Sequence, residues 1–332
     1  MWRRRYVLGG LFVGLLALAA VMLGSVLGTV FFAVTIAYLL SPLHRRLRAR
    51  GASPWVASAL ATTAAFLATL LLAVPVVVLV VLRLDTILAV LRAIPDVVTV
   101  EVAGFVYTIT TQQAQALLVG ALRSVARNVA AAIPVLLTKL ALFAFLVFSL
   151  LHHQHQARQA VLAVVPPAYR SVVEALDRRA RSTLFAIYVL QAATAAGTFL
   201  IALPVFYLLG YTFPFTLAVL AAILQFLPVV GPSLLLLALA VYHVAVGDLV
   251  AGVLIAFVGG FLIGWVPDLL IRPRLARETA RLPASLYFVG FVGGLLTLGP
   301  IGVIAGPLVV ALVAETASLL STELNGVPVT ER

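Results

Sequence analysis

Few ionisable side chains interrupt the long apolar runs of this sequence, and these few mark the places where ion or proton chemistry is expected. Asp268 follows Pro267 and stands one helical turn before Arg272, a spacing that allows an ion pair on one helix face. A carboxylate at the edge of a membrane span can bind a cation or a proton, or position a gate for a substrate. The alternative is that Asp268 only anchors the helix at the membrane interface.

A second carboxylate, Glu315, lies in another apolar run. An ionised carboxylate at the centre of a membrane helix costs about 2.5–3.5 kcal/mol on insertion scales, so we expect Glu315 to face protein or water. It is a secondary candidate for ion coupling, and the alternative is that it marks the end of the last span. Lys139 also lies in an apolar run, but its long stem lets the ammonium group reach the interface.

Two breaks dense in proline and glycine interrupt the C-terminal apolar runs. Such residues free backbone groups from the helix, and within a bilayer those groups must line a cavity or be buried in protein. Many transporters build their substrate and ion sites from unwound segments of this kind, although proline and glycine can also merely bend or cap a membrane helix. We predict that the breaks Gln225–Pro232 and Gly299–Pro307 line a transport path. The candidates for transport or coupling are Asp268, Arg272, Gln225, Pro228, Gly231, Pro232, Gly299, Pro300, Gly306, Pro307 and Glu315.

The remaining motifs argue against catalysis and against a bound cofactor. His152, His153 and His155 form a weak metal motif without a nearby carboxylate, and histidines interacting with a helix C-terminus are the favoured interpretation. The sequence has no phosphate-binding loop, no H-E-x-x-H and no G-x-S-x-G motif. The basic loops are too short and too poor in aromatic residues for a nucleic-acid surface. We therefore expect no enzyme, no cofactor, no metal site and no nucleic-acid partner.

The composition requires a membrane around these residues. Of 332 residues, 64% are hydrophobic and 10% are charged, against about 25% charged in a soluble domain. The mean hydropathy of +1.19 excludes both a soluble globular protein and a disordered chain. Cysteine is absent, which excludes disulfides, thiolate metal sites and thiol nucleophiles.

The apolar runs predict an all-α polytopic membrane protein with about eight membrane segments, some of them broken or re-entrant. The run between Arg5 and His44 is long enough for two crossings, with a turn predicted at Gly24, Ser25 and Gly28. The stretch Val98 to Glu101 alternates like a strand although its flanks read as helical. The predicted organisation is transmembrane helices 1–3 in 1–82, an extracytoplasmic helical insertion in 83–127, transmembrane helix 4 in 128–151, a cytoplasmic amphipathic linker in 152–181, and a C-terminal transmembrane core in 182–322 with hairpins at 213–246 and 284–320.

The distribution of positive charge predicts the orientation. With this organisation, 17 of the 22 Lys and Arg residues fall on the side of the N-terminus, and four fall on the other side. Because positive residues favour the cytoplasm, we expect a multi-pass protein of the cytoplasmic membrane with both termini inside. The segment from Arg3 to Ala19 also resembles a signal peptide, but the apolar run continues to Leu43, which favours an uncleaved first helix.

Several stretches resemble the autoinducer-2 exporter (AI-2E) family of prokaryotic transporters. Phe31–Pro42 with its Arg-rich tail is similar to the second helix of the family, and Leu209–Phe215 with Gln225–Pro232 is similar to its most recognisable motif. Asp268–Pro273 resembles its D-N-x-x-x-P element, and Gly293–Pro307 resembles its glycine-rich terminal hairpin. The chain departs from the family at Leu269, where Asn is common, and at Leu282-Pro283, where His-Pro is frequent.

The resemblance implies efflux, about eight membrane segments, a helical insertion at 83–127 and a homo-oligomer. Members are associated with export of autoinducer-2, and others with sodium or lithium/proton antiport. We therefore expect a secondary transporter or exporter of a small molecule, coupled to an ion or proton gradient across the lipid bilayer. The alternatives are a Na⁺(Li⁺)/H⁺ antiporter, whose substrate is a monovalent cation, and a membrane scaffold protein without transport.

Overall fold

The computed structural model describes residues 2–78, 81, 84, 85, 88, 97–102, 105–110, 112–226, 231–271 and 283–325. Within this part of the chain, six helices are long and apolar enough to cross a bilayer, and four shorter apolar helices accompany them. The predicted fold class, a polytopic helical membrane protein, is confirmed.

The secondary structure consists of eleven described helices and one pair of strands. The elements are α1 (Trp2–Met22), α2 (Gly24–Ala49), α3 (Pro54–Val77), β1 (Val97–Val102), β2 (Phe105–Thr110), α4 (Gln112–His152), α5 (Gln154–Val164), α6 (Arg170–Leu208), α7 (Pro214–Leu224), α8 (Ser233–Ala245), α9 (Leu249–Ile271), α10 (Ala284–Leu298) and α11 (Gly302–Asn325). The six long helices are α2, α3, α4, α6, α9 and α11.

The segment 83–127, predicted as a helical insertion, contains an antiparallel β-hairpin. In it Val97 pairs with Thr110, and Val102 pairs with Phe105. The prediction of helix was wrong here because both strands are rich in β-branched and aromatic residues, which favour extended backbone. Helix resumes at Gln112, and α4 then runs without interruption through the boundary predicted at 127.

A turn in the first apolar run was predicted at Gly24, Ser25 and Gly28. In the structure all three residues lie inside α2. Leu23 alone separates α1 from α2. The Leu23 N–H donates to the Ala19 carbonyl at 2.8 Å, and the Leu23 carbonyl accepts from the N–H of Leu27 at 3.0 Å. Helical hydrogen bonds therefore reach Leu23 from both sides, as an apolar environment requires of the backbone.

Backbone contacts divide the chain into two compact units. Unit 1 comprises residues 1–67, 134–185 and 282–332, and unit 2 comprises residues 68–133 and 186–281. Small residues of α2 and α3 pack against larger ones of α4 to form the core of unit 1. Its buried members are Ala33, Ala37, Ala61, Ala65, Phe143, Val147 and Leu151.

The hairpin of α10 and α11 in unit 1 is held by direct contact between glycines. A Cβ added to Gly302 would collide with the backbone of Gly294, and one added to Gly306 would collide with that of Gly290. Glycine is therefore needed at these positions to let the two backbones touch, as in other closely packed membrane helices.

The break predicted at Gly299-Pro300 is present. Gly299 has a φ of 62°, a left-handed conformation that suits glycine, and a short 3₁₀ turn over Gly299–Ile301 joins α10 to α11. Gly306 and Pro307, which follow in the sequence, do not extend the break, because α11 continues through them.

Unit 2 gathers α6, α7, α8 and α9 around one apolar cluster. Its buried members are Ala202, Val205, Phe206, Ala218, Ala221, Leu236, Ala240, Ile255 and Ile263. The hairpin predicted at 213–246 corresponds to α7 and α8, which at ~1.5 Å per residue are about 17 and 20 Å long. Neither is as long as the hydrocarbon core of a bilayer, about 30 Å thick.

The middle of α9 is not α-helical. Residues Ile255–Trp265 form a π-helix, in which hydrogen bonds span five residues instead of four. This widened stretch contains Gly259, Gly260 and Gly264 and ends three residues before Asp268. Such segments are frequent at functional sites, which makes this part of α9 a candidate position for a site.

Candidate substrate and coupling site

Gln225 joins three helices of unit 2. It caps the C-terminal end of α7 and is 4% exposed. Its backbone carbonyl accepts a 2.6 Å hydrogen bond from Nε2 of Gln191 on α6, and its own Nε2 donates a 3.0 Å hydrogen bond to Oδ1 of Asp268 on α9. The structure thus brings together two of the predicted site residues, at the start of the break where α7 ends.

The carboxylate of Asp268 lies in α9, next to the buried Pro267 and just beyond the π-helical stretch. Its hydrogen bond to the Gln225 amide supplies a donor in a surrounding that is mostly apolar, where an ionised carboxylate is costly. Arg272, predicted to pair with Asp268, lies outside the described residues.

One polar atom of this site has no hydrogen-bond partner within the described part of the chain. It is Oε1 of Gln225, the acceptor half of the same amide that donates to Asp268. A buried acceptor without a donor is unfavourable.

Gln191 was missed in the sequence, although a signal was present. It lies in an uncharged run of 66 residues, and Thr194 and Thr198 follow it at helical spacings of three and seven residues. A polar face at these spacings on a membrane helix must be satisfied inside the protein. The three side chains therefore mark the face of α6 that points away from lipid.

The other predicted residues divide between the two units. Gly231 and Pro232 are buried at the start of α8 in unit 2, and Gly231 has a φ of 35°. Pro228, like Arg272, lies outside the described residues. Gly299, Pro300, Gly306, Pro307 and Glu315 all lie in unit 1.

Glu315, in the middle of α11, faces Arg179 of α6. Arg179 Nε lies 3.9 Å from Glu315 Oε2, and the two side chains are 12% and 31% exposed. The distance is too long for a hydrogen bond, and this Nε has no hydrogen-bond partner within the described residues. The contact is therefore an ion pair with an unused donor.

A second polar cluster of unit 1 joins α2 to α6. The hydroxyl of Tyr38 donates to Oδ1 of Asp177 at 2.7 Å. Arg181 donates to the other oxygen of the same carboxylate at 3.5 Å and to the Ser41 hydroxyl at 3.4 Å, and its guanidinium lies 5.3 Å from the centre of the Tyr38 ring. No sequence motif predicted this cluster, because its members lie about 140 residues apart.

Two histidines of unit 1 contact neighbouring side chains. His44 is buried, with Nε2 3.2 Å from the Ser58 hydroxyl and Nδ1 3.1 Å from Nε2 of Gln154. His152, in the last turn of α4, stacks on Phe148. Among the described residues, no group of three or more possible ligands is arranged to hold a metal ion.

A third cluster lies at the turns of unit 2, outside the long spans. Tyr211 lies 3.0 Å from Nε2 of His243, and Nδ1 of the same ring lies 3.9 Å from the Asp248 carboxylate. Burial raises the pKa of Tyr211 to about 12, and the negative charge of Asp248 adds to this shift.

Comparison with known proteins places these features in a family. A profile of the AI-2E family transporters matches residues 10–321. The chain belongs to the AI-2E family. The match includes all six long helices over most of their length, both breaks and the Gln225–Asp268 pair.

Curated relatives of this AI-2E chain are named as transport proteins. One from Methanothermobacter thermautotrophicus is 29% identical over 142 residues, which cover 43% of this chain and 42% of the relative. One from Methanocaldococcus jannaschii is 22% identical over 175 residues, covering 53% of this chain and 52% of the relative. The chain thus spans about half the length of the relatives it matches. Family and relatives point to a multi-pass membrane transporter and away from an enzyme.

Proposed function

We propose that this AI-2E protein is a secondary transporter of a small solute, and that Gln225 and Asp268 form its coupling site. The observation that carries the proposal is the 3.0 Å hydrogen bond from Gln225 Nε2 to Asp268 Oδ1 beside the break after α7. Intramembrane carboxylates next to unwound helix ends are typical of proton- and ion-coupled transport.

The pair has the chemistry of a two-state switch. An ionised Asp268 accepts the hydrogen bond from the Gln225 amide, whereas a protonated Asp268 is itself a donor and requires an acceptor. Oε1 of Gln225 is that acceptor, so loading a proton favours rotation of the amide. Because the Gln225 carbonyl is hydrogen-bonded to Gln191, rotation of the Gln225 amide affects both the end of α7 and α6.

The energy source is inferred from the motifs of the sequence. It has no nucleotide-binding motif, so the proposed transport uses the proton or an ion gradient. We propose export as the direction, on the resemblance to autoinducer-2 exporters, in a cytoplasmic membrane with both termini inside. A homo-oligomer and a contribution of the Gly299–Pro307 break to the path are part of the same proposal.

A monovalent-cation/proton antiporter is the second candidate, and the site favours it in one respect. The Asp268 carboxylate and the Gln225 amide oxygen are oxygen ligands, which hard cations such as sodium and lithium prefer. In this mechanism the cation and the proton compete for Asp268.

Flux measurements in proteoliposomes test the function. A pH-sensitive dye reports proton movement when sodium, lithium or a diol sugar is added against an imposed pH gradient. We expect Asp268→Asn to lower the coupled flux by about tenfold or more. Asp248→Asn is the matched control, because Asp248 caps α9 at its other end and asparagine also caps helices.

The outcomes separate the candidates. Proton release on adding sodium or lithium identifies an antiporter, whereas sugar-dependent flux without a cation identifies a small-molecule exporter. Unchanged flux and unchanged pH dependence in Asp268→Asn would remove Asp268 from the coupling site. No flux with any probe in folded wild-type protein would favour the scaffold.

A further inference from the structure

Two buried threonines of α6 differ in the hydrogen bonds that their hydroxyl groups make. Thr194 and Thr198 are both 0% exposed. The Thr194 hydroxyl donates within its own helix, to the carbonyls of Leu190 at 2.9 Å and Gln191 at 3.0 Å. The Thr198 hydroxyl has no hydrogen-bond partner within the described residues.

This difference is unexpected for a buried threonine in a helix. Such a side chain ordinarily bonds to the carbonyl one turn earlier, as Thr194 does. A rotamer that leaves the hydroxyl unpaired is unfavourable unless the group has another partner when the protein works. The Thr198 hydroxyl is thus available for a hydrogen bond to a group outside its own helix.

The surroundings of Thr198 belong to the proposed coupling site. Thr198 lies two helical turns from Gln191, on the same face of α6, and Gln191 bonds to Gln225. The neighbouring Gly197 packs so closely on α9 that a Cβ there would collide with Ile271 and contact Pro267. The face that carries Thr198 is therefore flanked by the helix that carries Asp268.

Within the described part of the chain, two buried oxygens of this site have no hydrogen-bond partner: the Thr198 hydroxyl on α6 and Gln225 Oε1 at the end of α7. Thr198 is 0% exposed and Gln225 is 4% exposed. Further along α6, Ala202 and Phe206 enter the apolar cluster of unit 2. The polar face of α6 thus extends from Gln191 to Thr198 and stops there.

We propose that Thr198 lines the transport path and contacts the transported species. This inference rests on the proposed transport function and adds Thr198 to the residues that line the transport path. Both oxygens accept hydrogen bonds and the hydroxyl also donates one, so they suit a ligand with O–H groups, which are either the hydration water of a cation or the hydroxyl groups of the solute itself. The Asp268 carboxylate, on the neighbouring helix α9, can accept hydrogen bonds from either kind of ligand.

Cysteine labelling tests the inference without knowledge of the substrate. The natural chain has no cysteine, so each introduced thiol reports on its own position. Thr198→Cys is compared with Ala202→Cys, which is equally buried but lies in the apolar cluster, and with the exposed Ala160→Cys on α5. The probe is 2-aminoethyl methanethiosulfonate, added to the full-length protein in membranes.

The thiolate is the nucleophile that attacks the reagent and displaces methanesulfinate, and it forms readily only in contact with water. We therefore expect Thr198→Cys to react about tenfold faster than Ala202→Cys or more. Protection of Thr198→Cys by sodium or lithium chloride, with choline chloride as control, assigns a hydrated cation. Protection by a diol sugar assigns a hydroxylated solute. Equal reaction rates at positions 198 and 202, with Ala160→Cys fully labelled, would overturn the inference.

A second comparison separates a role in transport from a role in folding. Thr198→Val removes an unpartnered hydroxyl, so we expect it to unfold at the wild-type temperature or above it, while the KM of transport rises by about tenfold. Thr194→Val removes a hydroxyl that is already satisfied and should leave KM within about twofold. A lower melting temperature in Thr198→Val than in Thr194→Val would show a partner within the protein and overturn the inference. If wild-type protein moves no probe, the proposed function fails, and the labelling still decides the position of Thr198.

Discussion

Arg179 Nε lies 3.9 Å from Glu315 Oε2, and this ion pair connects α6 with α11 inside unit 1. The guanidinium is the more buried partner, at 12% exposed. Among the described residues, Glu315 is the ion-pair partner of this guanidinium.

Neutralising Glu315 should therefore destabilise the protein. We expect Glu315→Gln to lower the free energy of unfolding by about 1 kcal/mol, because the partly exposed pair is screened by solvent. Thermal unfolding in detergent measures the loss, and Glu323→Gln, exposed on the same helix, serves as the control. Equal stability of the two variants would contradict an energetic role for the pair, whereas recovery in a Glu315→Gln, Arg179→Gln double variant would support it.

Replacing Gln191 by methionine should impair transport. The substitution keeps the length of the side chain but removes the 2.6 Å hydrogen bond to the Gln225 carbonyl. We expect a loss of about 1–2 kcal/mol in stability and a fall in flux, because the end of α7 is no longer held against α6. Wild-type flux in a folded Gln191→Met variant would show that this hydrogen bond does not position the coupling site.

Adding a methyl group between α10 and α11 should be poorly tolerated. Gly302→Ala places a Cβ against the backbone of Gly294, which cannot move aside as a flexible side chain does. We expect a loss of about 1–3 kcal/mol in unfolding free energy. Gly293→Ala is the matched control, because a Cβ there meets no atom within 4 Å. A similar melting temperature for both variants would contradict the close contact.

Tyr211 predicts a loss of stability at alkaline pH. Its pKa is raised from 10 to about 12 in the folded protein, so its contribution is fully present below pH 10 and is lost as the pH rises through 12. Unfolding temperatures measured between pH 9 and 12 should fall more steeply for wild type than for Tyr211→Phe. Parallel curves would show that Tyr211 ionises equally in the folded and unfolded states.

Much of the fold follows from the sequence because lipid imposes a simple rule. The long helices lie in the apolar runs of the sequence, and the predicted break at Gly299 lies where glycine takes a positive φ. In the segment between α3 and α4, the alternation at Val98–Glu101 indicated a strand, but the segment was predicted to be helical because its flanks read as helix.

The candidate site was predictable as residues but not as contacts. Gln225 and Asp268 stood out because a polar side chain within an apolar run is costly. Their hydrogen bond joins positions 43 residues apart, and only the packing of α7 against α9 determines it. The i,i+4 rule pointed to Arg272, which lies outside the described residues.

The glycine contacts between α10 and α11 have a consequence for movement within unit 1. Where two backbones touch without side chains between them, neither helix can slide along or rotate against the other without a collision. The hairpin must therefore move as a rigid body, with the turn at Gly299 and the carboxylate of Glu315 displaced together. Breaking the ion pair with Arg179 would then release two helices at once.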